Sequence, residues 1–145
     1  MQLINAAALM IIITIMATSR SFSRSFSSVI RGHHASKAVW TPTLEEVLDV
    51  ACESDNAYDS HAVAILKMGV GIIGHAPREH SRVFWSFLEG GGSISCRVNG
   101  ARQLGKGLEV PCLYVFNDNG SKKIRRLLKK LPKASFITEQ HTITS

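Results

Sequence analysis

The most enzyme-like pattern in the chain is Gly100-Ala101-Arg102-Gln103-Leu104-Gly105-Lys106-Gly107, which has the GxxxxGK spacing of a phosphate-binding loop. Such a loop needs a Ser or Thr after the Lys to hold magnesium, and Gly107 stands there instead. The residues that follow, around Val110-Pro111, read as a strand, so the helix N-terminus that would complete a phosphate cradle is missing. The pattern therefore reads as a basic hairpin loop. His75 and His80 are five positions apart, whereas two metal ligands on one helix face need three or four. Neither these nor His33, His34, His61 and His141 bracket Cys52, Cys96 and Cys112 at zinc-ligand spacing. The odd cysteine count excludes a complete disulfide framework, and the apolar surroundings of all three favour buried thiols. No Ser or Cys sits in a nucleophile elbow, and the acidic residues are scattered. These observations lead to the expectation of a binding protein that is not an enzyme and uses no cofactor and no metal.

The elements that position these residues are short. Ser28–Val39 reads as an extended first strand ending at Trp40-Thr41-Pro42. Leu44–Glu53 suits either a helix or a half-buried strand, because both periods fit it. The stretch from Glu53 to Asp59 is polar and turn-forming. Ala62–Leu66 and Val70–Ile73, separated around Met68-Gly69, read as a hairpin. Pro77 opens a helix with Glu79 in its first turn. Its stripe is Val83, Phe84, Phe87 and Leu88, and Gly90-Gly91-Gly92 stops it. Ser93–Val98 alternates as a strand, and Leu108–Phe116 is another, with Pro111 placing it at an edge or a bulge. Ile124, Leu127, Leu128 and Leu131 form the apolar face of a basic helix ended by Pro132. That helix is either docked through its leucines or an arm for phosphate or an anionic membrane. Together these make a mainly β, α+β fold of five or six strands with one inserted helix and a basic C-terminal helix. Strands this short need a closed or nearly closed sheet.

The chain has 145 residues, one domain's length, and 45% hydrophobic residues, enough for a modest core. Its formal net charge of +6 is unevenly spread. Residues 1–28 carry two Lys/Arg and no acid, residues 29–121 carry eight against ten Asp/Glu, and residues 122–145 carry seven against Glu139. The expected division follows these limits: an N-terminal segment 1–28, a domain 29–121 and a basic tail 122–145. A polyanion would meet its charge mainly at the tail. Leu3–Ala17 is apolar but shorter than the roughly 20 residues of a membrane span. With the Arg- and Ser-rich stretch after it, it reads as a targeting segment, a short anchor or an unstructured extension.

One stretch is more specific. Asp55-Asn56-Ala57-Tyr58-Asp59-Ser60-His61-Ala62-Val63-Ala64-Ile65 resembles the signature of the HIRAN family. Ile73-Gly74-His75-Ala76-Pro77-Arg78-Glu79 is similar to that signature's second half, in the same order and spacing. The resemblance covers about residues 29–118. It implies a small OB-like β-barrel with an inserted helix. HIRAN modules occur alone or appended to Swi/Snf-type DNA translocases that remodel replication forks, a setting of DNA repair. Studied members bind single-stranded DNA and hold its 3′-hydroxyl end. Carried onto this chain, the resemblance implies that Tyr58 stacks on a base and Asp59 accepts the terminal hydroxyl's hydrogen bond. Asp55 and Asn56 shape that wall, His75 and Arg78 meet a phosphate, and Phe116 supplies a second stacking face. The family's first-strand aromatic is replaced near His33-His34, so His34 is the weaker candidate in that place. Tyr58 and Asp59 also suit a plain turn in which Asp59 bonds its own backbone. The implied partner is single-stranded DNA or another nucleic acid, with a helicase-type or other protein acting in trans, and the implied compartment is the nucleus. Membrane association through Leu3–Ala17 stays open. The alternative is a protein-interaction or structural domain that kept the fold and lost the DNA site.

Overall fold

Alternation of buried and exposed residues organises the molecule. The computed structural model describes residues 20–142; Leu3–Ala17, and with it the targeting and anchoring alternatives, lies outside the described residues. The elements are β1 (Arg20–Ile30), α1 (His33–Ser36), β2 (Val47–Cys52), β3 (Val63–Lys67), β4 (Gly71–His75) and α2 (Arg78–Glu89). They continue with β5 (Ser93–Val98), β6 (Gln103–Gly105), β7 (Gly107–Asn117), α3 (Lys122–Arg125), a 3-10 segment (Arg126–Lys130) and β8 (Phe136–Thr142). One antiparallel sheet runs in the order β4-β3-β2-β5-β7-β1-β8, with β6 folded onto β7. Among the described residues no helix is long and apolar enough to cross a membrane.

The mainly β expectation holds, with eight strands in place of five or six and a sheet that is not closed into a barrel. The surplus over six comes from β6 and β8. The expected first strand at Ser28–Val39 is corrected: β1 ends at Ile30, and His33-His34 open a helical turn after Gly32, whose φ of 82° needs glycine. The boundary at residue 28 is corrected too, because Ser23–Ile30 pair with Asn117–Val110 of β7 inside the sheet. The ambiguous segment Leu44–Glu53 resolves as β2, with Leu48 and Val50 inward and Val47, Asp49 and Ala51 outward. The hairpin of β3 and β4, helix α2 behind Pro77, and β5 all form as the residues predict. Pro111 lies inside β7, between two neighbours, rather than at an edge. Its carbonyl accepts from Asn99, just beyond the end of β5, so its missing N–H falls where that ladder has finished. The basic tail makes only a four-residue α-helix and two 3-10 segments, Arg126–Lys130 and Lys133–Ser135, before β8, not one continuous helix. Ile124, Leu128 and Leu131 nevertheless dock into the core.

The core is aromatic where α2 meets the sheet. Phe84 packs edge-on against Phe26, Tyr114 and Phe116, and Phe87 packs edge-on against Phe116. The Tyr114 hydroxyl donates to the Val29 carbonyl at 2.7 Å, satisfying the one polar atom of that buried ring. Cys96 and Cys112 are buried here, and Cys52 is half-buried.

The end strand β4 meets the chain just past β1 at one point. Arg31, just past β1, exchanges backbone hydrogen bonds of 2.8 and 2.9 Å with His75 at the end of β4. Gly74 permits this. A Cβ there would stand 2.5 Å from the Ile30 side chain and 2.7 Å from the Arg31 carbonyl oxygen.

Candidate nucleic-acid interface

A cleft of about 320 Å³ opens beside the Arg31–His75 bridge. Its floor is apolar, from Ala62, Val63 and Ala76, and its walls carry Arg31, Asn56, Tyr58, Asp59, His75 and Arg78. The loop between β2 and β3 builds one wall through its own side chains. Asn56 Oδ1 accepts from the Tyr58 and Asp59 amides at 2.8 and 3.0 Å, a turn that pushes Tyr58 outward. Tyr58 is 87% exposed. Asp59 Oδ1 accepts from the His61 amide at 2.9 Å, and Oδ2 accepts from the Ser81 hydroxyl on α2 at 2.9 Å. Arg78 fastens the same loop by donating to the Tyr58 carbonyl at 3.0 Å. The turn role of Asp59 and its place in the cleft wall therefore coexist, since each carboxylate oxygen keeps a further acceptor site.

Electrostatics separate the three charges of the cleft. Burial alone would raise the Asp59 carboxyl, but the His61 amide, the Ser81 hydroxyl and the Arg78 charge outweigh it and hold it below the usual carboxylate range. It is ionised at neutral pH. Arg31 is neutralised: it forks onto Glu79 at 2.5 and 2.8 Å and reaches Glu109 at 3.0 Å. Arg78 is in no ion pair within 4.0 Å among the described residues, so its charge is available to a ligand. A second, polar cleft of about 380 Å³ adjoins the far side of Tyr58 and Asp59 and adds Arg82.

The Arg31 fork gives a pH prediction. It holds the Glu79 carboxyl down from an ordinary 4.5 to about 2. A carboxyl depressed by folding stabilises the fold above its unfolded pKa and loses that contribution as the pH falls through its folded one. The melting-temperature gap between wild type and Glu79→Gln is therefore expected to be full above about pH 4.5 and closed by about pH 2. Glu79 is half exposed, so screening keeps the gap modest. A gap that stays constant across this range in thermal melts contradicts the assignment.

The structure brings together Asn56, Tyr58, Asp59, His75 and Arg78. It does not bring in the other three candidates. Phe116 is 1% exposed, sealed between Phe84 and Phe87, so the expectation of a second stacking face there is corrected. His34 is exposed on α1, beside Gly107 and outside the cleft lining, and Asp55 is exposed outside it too. Three residues were missed. Glu53 Oε2 lies 2.5 Å from His75 Nε2 and 3.3 Å from Asn56 Nδ2, and so braces two walls of the cleft. Its signal was its place directly before the Asp55–Asp59 motif. Ser81, one helical turn after Arg78, had the spacing to face the same loop. Arg31 had no signal, because its position depends on how β1 ends. Among the described residues no group of three His, Cys, Asp or Glu side chains could hold a metal. Gly100–Gly107 forms the β6–β7 hairpin, with no helix behind it.

No family model matches the chain, and no curated protein matches it. Two solved structures do. The HIRAN domain of human HLTF superposes with a TM-score of 0.62 at 17% identity, covering 78% of this chain and 93% of that one. A protein from Lactobacillus plantarum superposes with a TM-score of 0.50 at 15% identity, covering 66% of this chain and 97% of that one. The strand–helix order that the two sequence motifs imply, the sheet built around them and this superposition agree: the chain has a HIRAN-like fold.

Proposed function

We propose that the chain is a nucleic-acid-binding module, not an enzyme, and that its cleft takes the 3′-hydroxyl end of single-stranded DNA. The observation that carries this is the exposed Tyr58 ring standing beside the ionised Asp59 carboxylate on one cleft wall. A terminal hydroxyl is a donor and the carboxylate an acceptor. A terminal phosphate would be repelled by the same charge. Tyr58 offers a π-face that any base can use, and Arg78 supplies an unpaired cation for the adjacent phosphate. Stacking contributes about 1–3 kcal/mol per base, so Tyr58→Ala is expected to weaken binding of a short 3′-OH oligonucleotide by about 5- to 150-fold. Tyr58 is exposed, so this variant keeps its fold. Unchanged affinity in a low-salt fluorescence titration removes the stacking role.

A second reading is favoured by a specific observation. Phe116 is buried and His34 lies outside the cleft, so Tyr58 is the one Phe, Tyr or Trp ring lining it among the described residues. A site reduced in this way suits a protein-interaction domain that kept the fold. Absence of any oligonucleotide binding that depends on Tyr58 decides for that reading.

A further inference from the structure

A second basic surface sits elsewhere on the domain. Arg24 of β1, Lys129, Lys133 and Phe136 line a groove of about 580 Å³. Arg24 and Lys129 also line an adjoining groove of about 200 Å³ together with Lys122 and Arg126. Neither groove shares a residue with the Tyr58 clefts. Arg24 in β1 and Arg31 just past its end are seven positions apart, about 23 Å at the rise of a strand, which separates the two sites. Lys122, Arg126 and Lys129 are exposed and in no ion pair among the described residues. The carboxylate within reach, Asp118, is buried and taken by Arg125. The Arg24 guanidinium lies 5.5 Å from the centre of the half-buried Phe136 ring.

We infer that this double groove is a second phosphate-backbone site for nucleic acid, independent of the end-binding cleft. Its concavity and clustered cations suit a chain of phosphates more than a lipid surface. Membrane docking needs apolar side chains free to insert. Here Ile124, Leu128 and Leu131 are 4%, 2% and 3% exposed, all used by the core. The site binds by charge without reading sequence. It also places the cations of the tail on a folded surface instead of a loose arm.

The test uses the full chain and a 20-nucleotide single strand ending in a 3′-phosphate, which the Asp59 cleft disfavours. Binding is measured across a range of salt. The triple variant Lys122→Gln, Arg126→Gln, Lys129→Gln removes three exposed cations, with Arg24→Gln as a separate, single variant. Each phosphate contact on a single strand contributes about 0.7 to the log–log salt slope. The triple variant is therefore expected to flatten the slope by about 2, and Arg24→Gln by about 0.7. A slope unaltered in both basic-groove variants overturns the inference. So does binding to mixed phosphatidylserine–phosphatidylcholine vesicles that the oligonucleotide cannot compete away. A 3′-OH trinucleotide, too short to span both sites, reports on the Tyr58 cleft separately.

Discussion

Asp59→Asn is expected to erase the preference between 3′-OH and 3′-phosphate ends. A hydrogen bond to a charged acceptor contributes about 1.5–3 kcal/mol, so 3′-OH affinity falls by about 10- to 150-fold. Affinity for the 3′-phosphate end stays level or rises, because the repelling charge is gone. The substitution is chosen to spare the loop. The Asn carbonyl still accepts from the His61 amide, now held at 2.9 Å by Oδ1. The Ser81 hydroxyl, which loses its acceptor, still has the Arg78 carbonyl at 3.0 Å. A thermal melt close to wild type shows that the wall stands. Equal losses for both ends in paired titrations contradict end capture and point to a loop that has merely collapsed.

Phe116→Ala is expected to act on the fold, and strongly. The ring is 1% exposed and meets Phe84 and Phe87 edge-on, with centroids 4.9 and 5.2 Å away. Removing a buried Phe leaves both lost transfer energy and a cavity, about 3–5 kcal/mol together. That is a large part of a typical domain's stability, and it lowers the melting temperature by about 6–20 °C. Phe116→Leu keeps much of the volume and loses less. Below the melting transition both variants are expected to retain the discrimination between 3′ ends. A Phe116→Ala protein that melts like wild type yet loses oligonucleotide binding contradicts the burial of this ring.

The same residue shows how far the sequence can be read. Val110, Cys112, Tyr114 and Phe116 share one parity along β7, and all four are buried. Alternation alone therefore placed Phe116 inward, against the role that resemblance suggested. Where apolar periods are strong, as in α2 and β5, local pattern and final structure agree. β1 was illegible for the opposite reason. Its buried residues include Ser23 and Ser25, so a half-buried strand looked like a Ser- and Arg-rich leader. What reveals it is pairing with β7, where Arg24 meets Phe116 from 92 residues away, and no local period encodes a partner. The cleft divides in the same way. Asn56, Tyr58, Asp59, His75 and Arg78 lie in two short motifs and were legible. Arg31 and Glu53 were not, because their roles come from the meeting of β1 with β4 and from the bracing of His75.

The most direct measurement is a low-salt titration of the wild-type chain with two trinucleotides that differ only at the 3′ end. At least tenfold tighter binding of the hydroxyl end than of the phosphate end is expected. Equal affinities, or tighter binding of the phosphate, would show that the Asp59 carboxylate does not face the end of a strand.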